Sequence, residues 1–294
     1  MTDDLSARLN AFADLLADLC DRETSADPDG WTPQNPLWGH CAVASVAAQD
    51  RYGGTLQRAS LEKFPKWAQM RSHYWNRFPD GAERDLTKPQ FGGDPPEGLE
   101  AGERTRAYVL SHAPTLERYK LLSWRIAQAE NAGNALFEND LYRACYMAAM
   151  GSSCKKMRFG SALTRGGEVV SVKCNATIDA MKGLCEPDCV RLKIASRTES
   201  MIGACGHAEE FALWHAARDG IRTTECDLYV AGVGMNGAPW LKQRAEHTCL
   251  RCAVQMHNAG ILRVFVPVGG RWESVTTEEA IGQATAYATK QKTI

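Results

Sequence analysis

Two short motifs constrain this chain more than anything else in it, because only a folded protein can bring them together: His207-Ala208-Glu209 and, well downstream, Cys249-Leu250-Arg251-Cys252. Each opens a segment of helical composition, His207 to Arg218 and Cys249 to Asn258, and each segment is stopped by a glycine, Gly220 and Gly260. Cysteines three apart on a helix project from one face. Cys249 and Cys252 can therefore share a tetrahedral ion, and His207 at the mouth of a facing helix can add a third donor. Three protein donors leave one position open, which distinguishes catalytic from structural zinc. Helix amino termini also favour thiolates through their partial positive charge. Glu209 lies two residues past His207, where it can face a bound water as a proton shuttle without being a ligand. The plainer alternative is a structural zinc with Glu209 on a solvated face.

The surroundings of these motifs alternate between helix and strand. Leu141 to Met150 has helical spacing, while Phe159 to Leu163 and Glu168 to Lys173 suit two strands joined by a turn at Arg165, Gly166 and Gly167. Leu228 to Val233 and Ile261 to Val268 suit two more. That alternation predicts an α/β layer fold. Upstream, Asp4 to Cys20 carries Leu5, Leu9, Phe12, Leu15, Leu16 and Leu19 at helical spacing, and a proline-bearing loop, Glu23 to Pro36, leads to a helix that starts near Cys41. Pro79 to Gly102 is expected to be irregular and Arg104 to Glu130 helical. The length of 294 residues suits two domains at roughly 100 to 200 residues each. Gly133 and the asparagines between Asn131 and Asp140 mark a break, so the expected organisation is a domain over 1–132, a linker over 133–140 and a second domain over 141–294.

Composition narrows the partners. Thirty-four basic against thirty-five acidic residues leave a net charge of −1, which disfavours general nucleic-acid binding. No run approaches the roughly 18 apolar residues of a membrane span, and Met1 to Leu19 lacks the pattern of a signal peptide. A cytoplasmic location without membrane association is expected. Eleven cysteines, an odd and sparse set, point to metal or thiol chemistry rather than a disulfide scaffold.

The pattern H-x-E followed by C-x-x-C is the signature of zinc nucleobase deaminases. From Leu141 to Val268, and in outline to about residue 285, the chain resembles the cytidine/deoxycytidylate deaminase superfamily, the deoxycytidylate branch above all. The resemblance implies a three-layer α/β/α domain with Zn2+ held by His207, Cys249 and Cys252. It further implies that Glu209 passes a proton to N3 of cytosine and then to the departing amine, leaving ammonia and a uracil product. Lys173-Cys174-Asn175 stands where the family has Gly-Tyr-Asn, which makes Asn175 a substrate-binding candidate. Cys185, Cys189 and Cys205 match a cysteine-bearing insertion of that branch. They are read either as a second metal site, with a further ligand such as Cys174, or as buried free thiols. One departure is Thr248 in place of the family's proline; threonine can cap the helix that follows. The implied substrate is a dCMP-like nucleotide, and homo-oligomers are common in the family. Two other readings stay open: action on single-stranded nucleic acid, and a non-catalytic nucleotide sensor.

Between about residues 30 and 127, the stretch Asn35 to Gly54 with His73-Tyr74-Trp75-Asn76, Asp85-Leu86-Thr87 and Gln90-Phe91 resembles the YunG-like family, which implies an α+β domain. Cys41, His73 and Asp85 follow the order of transglutaminase and papain-like folds, where histidine activates a helix-terminal thiolate and aspartate orients the histidine. The alternative is that Cys41 is a small buried residue and that His73 and Trp75 are packed on a strand.

Overall fold

The computed structural model describes residues 2–93, 95–185, 188–193, 205–241 and 247–291. The chain divides into two compact units, Met1–Glu130 and Asn131–Ile294. Among the described residues no helix is long and apolar enough to cross a membrane.

In the first unit, α1 (Thr2–Leu19) buries Leu9, Phe12 and Leu16, one stripe at helical spacing. The alanine-rich α2 (Cys41–Tyr52) is buried along Val43, Ala44, Val46, Ala47 and Ala48. It packs on a sheet of order β3-β2-β1-β4, formed by β1 (Thr55–Ser60), β2 (Ser72–Arg77), β3 (Glu83–Arg84) and β4 (Gly102–Arg104). All pairings in this sheet are antiparallel. The segment expected to be one helix from Arg104 to Glu130 instead begins as the end of β4 and then forms α3 (Arg106–Leu110) and α4 (Ala113–Glu130). Pro114 explains the break, since its ring tolerates only the first turn of a helix.

The second unit is α/β. Asparagines that mark a linker by composition act here as caps. Asn134 Oδ1 accepts from the Leu136 N–H at 3.1 Å, starting the 3-10 turn Ala135–Glu138, and Asn139 Oδ1 accepts from the Tyr142 N–H at 3.0 Å, starting α5 (Asp140–Met150). Leu136 and Phe137 are buried, so the stretch 133–140 is part of this unit rather than a free connector.

The main sheet runs β12-β11-β9-β5-β6, with β10 (Pro239–Trp240) on β9. Its strands are β5 (Arg158–Arg165), β6 (Glu168–Cys174), β9 (Cys226–Val233), β11 (Arg263–Val268) and β12 (Arg271–Thr276). β9 and β11 are parallel, while the other pairs are antiparallel. Gly166 and Gly167, both at positive φ, make the two-residue turn that aligns β5 with β6. A small ribbon pairs β7 (Ala176–Thr177) with β8 (Cys205–Gly206).

Successive residues of β5 face opposite layers. A Cβ on Gly160 would lie 1.9 Å from the Cys145 carbonyl, so α5 rests directly on that face. Ser161 Oγ donates to the Ala208 carbonyl at 2.8 Å on the other face, fixing the first residue of α6 (Ala208–Arg218). There α6, α7 (Leu250–Asn258) and α8 (Thr277–Gln291) cover a core of Leu163, Leu228, Val230, Cys252, Met256, Val264 and Ala280. Helices on both faces of one sheet give the three-layer arrangement that the sequence implied.

Candidate metal centre and its carboxylates

His207 is the N-cap residue of α6 and Cys249 the N-cap residue of α7, so both stand where backbone N–H groups point outward. His207 Nδ1 lies 3.3 Å from Cys252 Sγ and 3.5 Å from Cys249 Sγ. All three donor atoms fall within 4.8 Å of one another. Four-coordinate zinc, with Zn–S near 2.3 Å and Zn–N near 2.0 to 2.1 Å, sets N···S separations of about 3.5 to 3.6 Å. The three side chains therefore fit that ion without rearrangement, and one histidine with two thiols is a donor set zinc prefers. The sulfurs differ in character. Cys249 is pulled down to about 3, chiefly by the hydrogen bond from the Cys252 thiol, against burial and with help from His207; Cys252 is pushed well up by that same bond and by burial. Burial works against the His207 imidazolium, but the Cys249 sulfur and the Glu209 charge outweigh it and raise the ring.

Two adjacent glutamates are both buried and do different things. Glu209 is 8% exposed and its Oε1 accepts from Thr248 Oγ1 at 2.9 Å. Glu210 is 2% exposed and ties the two motif-bearing helices together. Its Oε2 accepts from the His207 N–H at 2.8 Å and from Arg251 Nη2 at 2.6 Å, and its Oε1 accepts from Gln255 Nε2 at 2.7 Å. Sequence reasoning missed Glu210, although its position three residues after the cap is the capping-box signal. Thr248 also departs from expectation. It does not cap α7, because Cys249 is the N-cap residue, and its hydroxyl is spent on Glu209 instead.

Asn175 is 6% exposed and bound inward: Oδ1 accepts from the Phe159 N–H and from Ser152 Oγ, both at 2.7 Å, and Nδ2 donates to the Met157 carbonyl at 2.9 Å. It pins the loop before β5 to the end of β6, and the same side chain also hydrogen-bonds Cys154. Thr177 Oγ1 bridges Cys185 Sγ at 3.4 Å and Cys205 Sγ at 3.3 Å, and Cys205 hydrogen-bonds to Cys154. Among the described residues, Cys185, Cys189 and Cys205 do not close to within 4.8 Å as the first set does. A groove of about 580 Å³ lies along the later turns of α6 and α7, between Trp214, Ile221, Gln255 and Asn258, and includes none of the donors.

In the first unit the structure brings Cys41, His73 and Asp85 together. His73 Nε2 sits 2.7 Å from Asp85 Oδ2, and the Cys41 sulfur makes hydrogen-bonding contact with the same ring.

No curated protein matches the chain. Among solved structures, the dCMP deaminase from the cyanophage S-TIM5, in apo form, is 16% identical over 49% of this chain and 89% of that chain, with a TM-score of 0.32. The family model of the YunG protein matches residues 8–131, and that of the cytidine and deoxycytidylate deaminase zinc-binding region matches residues 137–268. The chain is thus a fusion of a YunG domain with a cytidine and deoxycytidylate deaminase zinc-binding domain.

Proposed function

We propose that the second unit hydrolytically deaminates a cytosine nucleotide of the dCMP type, releasing ammonia and the uracil nucleotide. The observation that carries this reading is the buried Glu209 carboxylate, held by Thr248 within electrostatic range of the His207 and Cys252 donors. His207, Cys249 and Cys252 would hold zinc, which when bound lowers the pKa of a coordinated water toward neutrality and so supplies a nucleophile at C4 of the base. Glu209 does the proton work. With Oε1 engaged by Thr248, its Oε2 is the oxygen left to carry the attacking water's proton to ring N3 and then the proton of the new C4 hydroxyl to the departing amine, so that ammonia leaves as the C4 carbonyl forms. Glu210 moves no proton in this scheme, since its oxygens are committed to the His207 N–H, Arg251 and Gln255. The dry setting of Glu209 strengthens its pull on the base and keeps bulk water from competing. A near-zero net charge favours a small nucleotide over a polymer, which would want a basic, aromatic-lined channel.

An ammonia-release screen of the zinc-loaded full chain tests the reading, using cytosine, adenine and guanine compounds at each phosphorylation level beside single-stranded DNA and RNA. Release from a cytosine nucleotide, lost in Glu209→Gln with zinc content unchanged, is the expected result. Full turnover in Glu209→Gln would exclude this mechanism.

A further inference from the structure

Cys41, His73 and Asp85 come from three parts of the first unit: the first residue of α2, the second residue of β2 and the loop just after β3. His73 is 1% exposed, and its ring is fixed on every side. Trp75 stacks on it at 5.6 Å and 23°, Phe91 meets it edge-on at 4.8 Å, and Asp85 Oδ2 holds Nε2 at 2.7 Å. Asp85 is itself oriented, because its Oδ1 accepts from both the N–H and the Oγ1 of Thr87 at 2.9 Å. With Nε2 committed to the carboxylate, Nδ1 is the nitrogen left for the Cys41 sulfur. A fourth group faces the same nitrogen. Gln90 is 1% exposed, its Nε2 lies 3.5 Å from His73 Nδ1, and its amide is set by Thr87 Oγ1 at 3.1 Å and by the Gly39 N–H at 3.4 Å.

A sulfur, an imidazole, a carboxylate that orients the imidazole and a side-chain amide donor are the parts of an acyl-transfer centre. A structural explanation would account for packed aromatics, but not for a carboxylate and an amide both aimed at one ring beside a thiol. We propose that the first unit is a cysteine-dependent acyl hydrolase, with Cys41 as nucleophile, His73 as acid and base, Asp85 as positioning residue and Gln90 as oxyanion donor, acting on an amide or activated ester.

Cys41 Sγ attacks the acyl carbon and a C–S bond forms. The carbonyl oxygen takes up the negative charge against Gln90 Nε2 and the first-turn N–H groups of α2, which have no intrahelical acceptor. His73 gives its proton to the leaving group as the C–N or C–O bond breaks, and an acyl thioester remains on Cys41. Water then adds with its proton passing to His73, the C–S bond breaks, and the carboxylic acid leaves with the thiol regenerated. No oxidant or second substrate is needed. Burial works against the imidazolium, yet the Asp85 and Cys41 hydrogen bonds outweigh it and push His73 up to about 10, so the ring carries the proton that the leaving group needs. Arg118 on α4 and Tyr74 on β2 also lie within electrostatic range of the sulfur. Arg118 Nε is buried with no hydrogen-bond partner among the described residues, a cationic group near the thiol. This inference does not depend on the deaminase reading.

The test uses the full chain, p-nitrophenyl acetate as acyl donor, and peptide mass spectrometry to locate adducts. One equivalent of nitrophenolate should be released in a burst, with the acetyl group on Cys41. His73→Gln should slow acylation by about 100-fold or more, and Asp85→Asn by about 10-fold. Site-resolved alkylation by iodoacetamide is the second readout and does not need a substrate. At pH 7 Cys41 should be alkylated about 10-fold or more faster than a free model thiol, and Asp85→Asn should remove most of that advantage. Acetylation spread over other cysteines, or Cys41 alkylation that follows an ordinary thiol and ignores Asp85→Asn, would overturn the proposal.

Discussion

Replacing Glu210 with alanine removes one carboxylate and three hydrogen bonds from the junction of α6 and α7. Loss of one partner from a fully buried ion pair costs about 3–5 kcal/mol. The Arg251 side chain is 31% exposed, so water compensates part of its loss, and about 2 kcal/mol is the better figure for that term. Loss of the capping box adds roughly 1 kcal/mol. A total near 3 kcal/mol corresponds to a drop of roughly 6–12 °C in a domain of this size. Calorimetry of the zinc-loaded full chain reads it, because the transition that zinc raises belongs to the second unit. Zinc affinity should fall by about 10- to 100-fold as well, since His207 loses the group that anchors its backbone. An Glu210→Ala protein that unfolds within about 1 °C of the parent and binds zinc equally well would refute the reasoning that this carboxylate, rather than the ion alone, holds the donors in place.

Thr248→Val should lower turnover by about 10- to 100-fold at unchanged zinc content, because a hydrogen bond to a charged group contributes about 1.5–3 kcal/mol. Steady-state kinetics with metal analysis checks this, and an unchanged kcat would mean that Glu209 is oriented by something else. Removing metal with a chelator should lower the second unit's transition by the linkage energy, about 4 kcal/mol where free zinc stood at a thousand times its Kd, and leave the first unit's transition in place; equal shifts in both would contradict the assignment. His40 is pushed down to about 4 by burial, so its contribution to stability is complete above the unfolded value near 6.5 and is lost as the pH falls toward 4, by up to about 3 kcal/mol. Urea unfolding of the first unit at pH 7 and pH 4.5, compared with His40→Asn, measures it, and identical pH dependence in the two proteins would count against the burial argument.

Much of the α/β layout is legible without coordinates. Leu9, Phe12 and Leu16, or Tyr142, Cys145 and Ala149, repeat at helical spacing and mark buried faces. Gly166-Gly167 announces a hairpin because few other residues accept positive φ twice in succession. β1 and β2 are harder to see, since Gln57, His73 and Asn76 sit at buried positions and blur the apolar alternation. The asparagines at 134 and 139 misled by composition, because a capping asparagine and a linker asparagine are the same letter.

The sequence by itself determined the chemistry on offer: a histidine and two cysteines at helix starts, an acid next to the histidine, and a thiol, an imidazole and a carboxylate in a second set. Spacing along one helix is local, so those readings need no tertiary information. Only the tertiary structure decided which of two identical neighbours pairs with Thr248 and which staples the helices, that Thr248 serves Glu209 rather than α7, and that Asn175 is turned inward. It also placed Gln90 beside His73. Each of those facts is a hydrogen bond between residues on different elements, and adjacent side chains of the same type differ only in the direction the packed backbone points them.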